Sequence, residues 1–584
     1  MESVQSLAER WLSLDKDKDT RQEIQDLLEA KDEAALESRL RHRIAFGTAG
    51  LRSSMKAGFA HMNSLTVLQA SYGLAQYIID QDLSSKNDSE SLSVVIGHDA
   101  RYNSEKFARL TAAAFLSKGF KVLWFEELVH TPMVPFAVNY SGAAAGIMVT
   151  ASHNPKNDNG YKVYWSNGCQ IIPPHDAGIA TAIDSITEVS TWDKTAVDQS
   201  DRVQRIFDET GKAYFQSIQS LVEHLPASGR APRFMYTPMH GVGLPFMEQA
   251  GNSLQLESGS MQIVQAQANP DPEFLTVPFP NPEEKGALDL AKQLADEKGC
   301  SLILANDPDA DRFAAVERLS DGGWHQFTGN QMGVLLASYI LETYQGRREK
   351  LVMLASTVSS RMLGTMTVKE GFHFQETLTG FKWLGNVAQD LQRQGYDPAF
   401  AYEEAIGYMF PTVVWDKDGI ATAAVFLKAC RHWNSQSLTP WQKLQRLYER
   451  YGYFEDANTY LISPCPEVTN KVFAEIRRLN NGSRPEKVGE SKIERWRDLT
   501  LGYDSSTIDN KPDLPVDASA QMITCELPDV VSTARGSGTE PKIKLYIEAR
   551  GPSSEEAKAR ADEILQDLLR EWFKPEYGLK LAVT

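Results

Sequence analysis

What most constrains this chain is a recurring pattern in which a short apolar run stops at a polar loop. From Ser93 to Phe125 the sequence reads VVIGHDAR, then NSEKFARLTAAAFLSKG, then FKVLWF. Apolar run, amphipathic stretch and apolar run predict strand, helix and strand, and hence α/β layers with parallel strands. The same grammar recurs at 234–243, 301–312 and 350–360. In such folds the loops beyond the strand ends carry ligands. No fixed-period repeat runs through the chain, which argues against a solenoid.

At roughly 150 residues per domain, 584 residues correspond to about four domains. Break signals fall in Leu221 to Arg233, with Pro226, Gly229 and Pro232, at Asp321-Gly322-Gly323 before a helix expected over Gln331 to Tyr344, and near Tyr451-Gly452-Tyr453. The expected division is 1–225, 226–326, 327–450 and 451–584. The polar stretch Asn480 to Lys511 reads as a long surface connection. Ser553 to Phe573 reads as a helix with a Ser-x-x-Glu start and one apolar face. A net charge of −17 repels nucleic acid and anionic membranes, so neither is an expected partner, and an anionic ligand must find a local pocket. The five scattered cysteines suggest neither a disulfide framework nor a zinc site, and no apolar stretch approaches a membrane span. A polar, acidic start fits a cytoplasmic protein.

Four loops could carry chemistry. Asp307, Asp309 and Asp311 alternate after an apolar run, an unfavourable crowding unless a hard cation neutralises it. An EF-hand is excluded, because Arg312 and Arg318 stand where Gly and Glu are required. A Mg²⁺ site completed by water and a phosphate oxygen fits better, and Arg312 suits a phosphate; the alternative is an acidic loop facing water. The second loop is Thr150-Ala151-Ser152-His153-Asn154-Pro155. Ser152 could be a nucleophile, but His153 forms no triad with it, since neighbours on an extended chain point to opposite sides. Lys162, taken alone, reads as a surface lysine, although near phosphate it could exchange a proton. In the third loop, Arg535-Gly536-Ser537-Gly538-Thr539-Glu540-Pro541-Lys542, glycines, hydroxyls and basic residues could converge on a phosphate, without the ending of a P-loop. In the fourth, Glu403-Glu404-Ala405-Ile406-Gly407-Tyr408 precedes Asp416-Lys417-Asp418-Gly419 and could accept hydrogen bonds from sugar hydroxyls or be a solvated acidic turn. One loop per expected domain suggests a single cleft assembled from all four.

These loops, in this order, resemble the α-D-phosphohexomutase superfamily, from Arg43-Ile44-Ala45-Phe46-Gly47-Thr48-Ala49-Gly50-Leu51-Arg52 to the C-terminal phosphate loop. The resemblance implies four domains around a central cleft, three α/β with mixed sheets of related topology and a smaller α+β fourth, serving in order the phosphoserine, the metal, sugar recognition and phosphate binding. It implies Ser152 as the phosphorylated serine, with Asp307, Asp309 and Asp311 holding Mg²⁺ together with an oxygen of that phosphoserine. Arg52 and Arg312 would contact the transferring phosphate, and Lys162 and Lys417 are the proton-transfer and charge-stabilising candidates, with His153 beside the serine. Glu403 would bind sugar hydroxyls, aided by Thr379 and Gly380, and Arg535, Ser537, Gly538 and Thr539 would hold the other phosphate. A sugar bisphosphate would prime the dephosphorylated enzyme.

Two departures are informative. Ala405 replaces the serine usual in glucose- and mannose-handling relatives, which removes one hydrogen bond to a hexose. Gly536 stands where many relatives have proline. The form of the sugar loop resembles the eukaryotic phosphopentomutase branch. The expected reaction is therefore interconversion of ribose 1-phosphate, and deoxyribose 1-phosphate, with the 5-phosphates by a monomer, with phosphoglucomutase side activity. The alternatives are a glucose phosphomutase, a glucose 1,6-bisphosphate synthase, or a silent phosphosugar-binding regulator.

Overall fold

The computed structural model describes residues 2–81, 92–226, 229, 231–536 and 541–582. The chain divides into two compact units: unit 1 is Met1–Leu354 with Gly380–Thr439, and unit 2 is Ala355–Thr379 with Pro440–Thr584.

In unit 1 the predicted strand, helix and strand are β2 (Ser93–His98), the helix Ser104–Ser117 and β3 (Lys121–Trp124), built into a sheet with β1 (Leu51–Ser54), β4 (Ala145–Val149), β5 (Asp158–Trp165) and β6 (Val203–Arg205). The order is β1-β5-β4-β2-β3-β6. β2 runs parallel to β3 and β4, whereas β5 is antiparallel to β4 and β1. Every residue of β4 is buried, which explains its continuous apolar sequence. Ile147, Val149, Tyr161 and Val163 from β4 and β5 pack with Val67 and Leu74 of the helix Ser64–Asp80. Burial of each such aliphatic side chain is worth about 1.5–3 kcal/mol.

A second sheet repeats this plan. β7 (Phe234–Thr237), β8 (Met261–Ile263), β9 (Leu302–Ala305), β10 (Ala314–Arg318) and β11 (Trp324–Gln326) lie in the order β11-β10-β9-β7-β8. Its β7 pairs parallel with β8 and β9, and β10 pairs antiparallel with β9 and β11. Further along the chain lie β12 (Leu351–Ser356), whose last two residues belong to unit 2, then β13 (His373–Thr377) in unit 2, and the antiparallel pair β14 (Asp397–Glu403) and β15 (Gly407–Met409) in unit 1. The corresponding connections β4–β5, β9–β10 and β14–β15 carry Ser152, the three aspartates and the Glu403 loop. The helix expected from Gln331 starts at Gly329, because Thr328 and Gln331 cap it reciprocally. The helix Phe207–Glu223 overruns the first three residues of the expected linker, with Ile218 and Val222 buried.

Unit 2 is α+β. β16 (Tyr453–Asp456), β17 (Thr459–Ile462), β20 (Arg495–Asp498), β21 (Tyr503–Asp504), β22 (Met522–Leu527), β23 (Val530–Gly536), β24 (Lys542–Gly551) and β25 (Lys580–Leu581) form one sheet, with a small hairpin of β18 (Lys487–Val488) and β19 (Ser491–Lys492). The C-terminal helix Ser554–Glu571 begins at Ser553, whose hydroxyl accepts from the Glu556 amide, and buries Ala557, Ala561, Ile564 and Leu568. Asn480 to Lys511 is not a plain surface connection. It contains β18 to β21, and Trp496, Arg497 and Asp498 are buried. Its charges are accommodated because Arg495 pairs with Asp504 and Glu526, Arg477 with Asp498, and Arg497 with Glu376. Among the described residues no helix is long and apolar enough to cross a membrane.

Candidate active site

The β4–β5 connection presents Ser152 at the end of a fully buried strand, and its backbone is left-handed, with φ 54°. Thr150 Oγ1 accepts from the Ser152 amide at 2.9 Å, and Arg101 donates to the carbonyls of Ser152 (2.5 Å), Asn154 (2.6 Å) and Pro155 (3.0 Å). This turn overturns the extended-chain expectation: Ser152 Oγ and His153 Nδ1 lie 3.4 Å apart. Burial, then Arg312 and Arg52, hold the His153 imidazole well below its ordinary pKa, so it is neutral. Antiparallel pairing of β1 with β5 sets Arg52 opposite Gly160, and the exposed guanidinium reaches Asn154 Oδ1 at 3.4 Å.

The β9–β10 connection brings the metal-ligand candidates to Ser152. Ser152 Oγ donates to Asp307 Oδ2 at 2.8 Å. Asp307, Asp309 and Asp311 are fully buried, with one carboxylate oxygen from each within 4.8 Å of the others. Ala310 between them is left-handed at φ 50°. Burial and the two neighbouring carboxylates push Asp307 well above the usual carboxylate range. Burial also acts against ionised Asp309, but Lys162 and Thr131 outweigh it and hold that carboxyl below the usual range. Oδ1 of Asp309 and Oδ1 of Asp311 are buried without a hydrogen-bond partner among the described residues. Three converging carboxylates with orphaned oxygens fit a hard divalent cation.

Lys162 is not a surface lysine. On β5, opposite Met148, it is buried and donates to Asp309 Oδ2 at 2.7 Å and Asp311 Oδ2 at 2.9 Å. Lys417 Nζ lies 3.1 Å from Asp311 Oδ2 and 5.3 Å from the Phe381 ring centroid. Burial opposes its charge, yet Asp311 and Asp416 outweigh burial and raise its pKa.

Arg312 connects the aspartates to the sugar loop: its Nη1 donates to Ala405 O at 2.8 Å, and its amide donates to Asp307 Oδ1 at 3.0 Å. The turn between β14 and β15 places Glu403 opposite Gly407 and Ile406 at φ 51°. Glu403 Oε1 accepts from the Gly380 amide at 2.5 Å, where φ of 107° requires glycine. Ser152, His153, Lys162, Asp307, Asp309, Asp311, Arg312, Arg52, Gly380, Glu403, Ala405 and Lys417 all belong to unit 1, whereas Thr379 and Arg535 belong to unit 2. Ser537, Gly538 and Thr539 lie outside the described residues. Sequence reasoning missed Arg101 and Thr131, whose Oγ1 donates to Asp309 Oδ2 at 2.5 Å. The only sequence signal for either was its place in a polar loop after an apolar run.

Three family models, phosphoglucomutase/phosphomannomutase alpha/beta/alpha domains I, II and III, match residues 43–190, 212–322 and 328–451. The chain belongs to the phosphoglucomutase/phosphomannomutase family. Among members of this family, a Saccharomyces cerevisiae protein named phosphoribomutase is 46% identical, the match covering 97% of this chain and 96% of the relative. A human protein named phosphopentomutase is 39% identical over 98% of this chain and 96% of the relative. A Burkholderia thailandensis phosphoglucomutase/phosphomannomutase family structure shares the fold, with a TM-score of 0.66 at 18% identity over 93% of this chain and 100% of that one.

Proposed function

We propose that this member of the family is a phosphopentomutase, interconverting ribose 1-phosphate and deoxyribose 1-phosphate with the 5-phosphates, with phosphoglucomutase side activity. The observation that carries the reading is the hydrogen bond from Ser152 Oγ to Asp307 inside a buried three-aspartate cluster facing two lysines. The phosphopentomutase and phosphoribomutase names of full-length relatives support the pentose substrate.

Ser152 carries the phosphoryl group between turnovers. In the first transfer its Oγ–P bond breaks as a sugar hydroxyl oxygen bonds to phosphorus, and that hydroxyl's proton leaves to a nearby base. The neutral imidazole of His153, 3.4 Å from Oγ, is placed to move this proton. The resulting bisphosphate turns over in the cleft and returns its other phosphoryl group to Ser152. Asp307, Asp309, Asp311 and the serine phosphate would hold Mg²⁺, which supplies electrostatic stabilisation of the transferring phosphoryl group when bound. Lys162, Lys417, Arg312 and Arg52 gather positive charge around that group, which phosphoryl transfer requires more than bond-making by side chains. Glu403 with Gly380 and Thr379 reads the sugar hydroxyls, and Arg535, Ser537, Gly538 and Thr539 anchor the second phosphate. A sugar bisphosphate primes dephosphorylated Ser152. The enzyme works as a cytoplasmic monomer on small sugar phosphates.

Initial rates with pentose and hexose 1-phosphates, Mg²⁺ and a bisphosphate test the reading. kcat/KM is expected to be higher for ribose 1-phosphate than for glucose 1-phosphate; equal or reversed values would sink the pentose assignment. S152A is expected to abolish turnover, and a chelator to abolish it until Mg²⁺ is restored. Ala405→Ser alone is expected to shift the preference toward glucose 1-phosphate by about tenfold.

A further inference from the structure

A buried hydrogen-bonded chain lies behind the lysines. His130, Tyr214 and Asp418 come from three distant parts of unit 1, and each is at most 1% exposed. Tyr214 Oη lies 2.9 Å from His130 Nε2 and donates toward Asp418 Oδ1 (3.0 Å) and Oδ2 (2.8 Å). A phenol has one proton, and the carboxylate takes it, so His130 Nε2 carries a hydrogen and donates to Tyr214. His130 Nδ1 then has a lone pair, consistent with its lack of a partner among the described residues, and burial pushes this imidazole down to about 3, keeping it neutral. The chain is packed by rings: His130 lies 4.1 Å from Phe246 and Tyr214 5.5 Å from Phe136, between centroids.

Each end of this chain reaches the candidate site. Thr131, next to His130, donates to Asp309 through its hydroxyl, and its amide donates to Asp309 O at 2.9 Å. Asp418, next to Lys417, caps the helix Gly419–Ser435: its Oδ1 accepts from the amides of Ile420 (3.0 Å) and Ala421 (2.9 Å). Oδ2 of Asp418 accepts from Tyr214 alone among the described residues. Gly419 seats the loop on the aspartates, because a Cβ there would lie 2.3 Å from Arg312 O and 2.8 Å from Ala310 O.

We infer that Tyr214 is a positioning residue for the phosphoryl transfer: its hydroxyl, held by His130 and donating to Asp418, fixes the 416–419 loop so that Lys417 faces Asp311. The inference rests on the mutase reading above for its kinetic consequence, but the geometry it describes belongs to the loop itself. Without the hydroxyl, Oδ2 of a buried carboxylate has no partner, so the cap must rotate or the loop must shift.

The test is a double-mutant cycle on the full chain with ribose 1-phosphate, Mg²⁺ and bisphosphate, using wild type, Y214F, K417A and the double variant. Y214F is expected to lower kcat about tenfold with KM within about twofold. In the K417A background the same change is expected to do nothing further, because its effect passes through Lys417. A full tenfold loss in both backgrounds would overturn the inference, since a general structural role is additive. An activity-independent arm follows amine labelling by mass spectrometry. Y214F is expected to raise labelling of Lys417 several-fold while Lys162 stays protected, and unchanged Lys417 labelling counts against the inference. D418S, which keeps a cap oxygen but cannot reach Tyr214, should label like Y214F and serves if Y214F does not fold. Wild type that turns over no sugar phosphate would refute the mutase reading, whereas the labelling still decides the positioning role.

Discussion

Arg101 shows how one buried cation can shape a reactive loop. Its guanidinium pairs with Asp99 at 3.4 Å, lies 4.9 Å from the Phe274 ring centroid, and donates to three carbonyls of the Ser152 loop. Those bonds hold Ser152 in a left-handed conformation that costs a non-glycine residue on the order of 1–3 kcal/mol. Lysine offers a point charge rather than a planar fork. R101K is therefore expected to fold yet lose at least about tenfold in kcat, measured with ribose 1-phosphate. R101A leaves Asp99 buried and unpaired, and its urea midpoint should fall by an amount corresponding to about 3–5 kcal/mol. A near-normal kcat in R101K would show that the carbonyl contacts do not set the serine's position. Arg101 was not legible in advance because the carbonyls it holds lie some fifty residues along the chain, and hydrogen-bond partners at that distance leave no local pattern.

At the scale of elements, the apolar runs located β2, β3, β7, β9 and β12, and each polar loop that followed was a real strand exit. The deeper regularity was not visible in residues: the serine, aspartate and glutamate loops occupy equivalent antiparallel connections in three sheets. Pairing order is a property of the sheet rather than of any local segment, so periodicity does not report it. The stretch Asn480 to Lys511 misled because buried ion pairs make a strand look like surface. Arg497 donates to both Glu376 oxygens at 2.9 Å. Burial raises the Glu376 pKa, but Arg497 and Arg361 outweigh it and bring the carboxyl from 4.5 down to about 2. A depressed carboxyl stabilises the fold above its unfolded value and loses that contribution as pH falls from about 4.5 toward 2, worth about 3 kcal/mol. Urea midpoints across that range should fall in wild type and fall less steeply in E376Q, which starts lower because Arg497 is left buried without its partner. Gly536 has a similar element-level explanation. Its amide donates to Gln521 O at 2.8 Å, a bond that proline cannot make. G536P is expected to destabilise unit 2 by about 1–3 kcal/mol in urea unfolding, and an unchanged midpoint would show that this bond contributes nothing.

For the whole molecule, length and charge set the frame, but compactness partitions the chain in a way no linear reading could provide. Unit 2 contains Ala355–Thr379, a segment from the middle of the chain, together with everything from Pro440 onward. That segment is built into unit 2 by burial and charge alike. Val358 and Leu378 pack with Leu499, Leu514, Met522 and Tyr546, Glu376 holds Arg497, and the Arg361 amide donates to Glu548 Oε2 at 2.7 Å. A chain cut after Thr439 keeps the segment and deletes all of these partners. Apolar side chains would then face water, and Glu376 would lose the guanidinium that holds its charge, so removal of the C-terminal part cannot be a clean excision of one domain. Residues 1–439 are expected to bind a hydrophobic dye strongly and to unfold at a lower urea midpoint than the full chain, with a broadened transition. Adding residues 440–584 as a separate chain should suppress dye binding, because the missing partners return. Sharp, cooperative unfolding of 1–439 at the full-length midpoint, with no dye binding, would show instead that Ala355–Thr379 folds without unit 2.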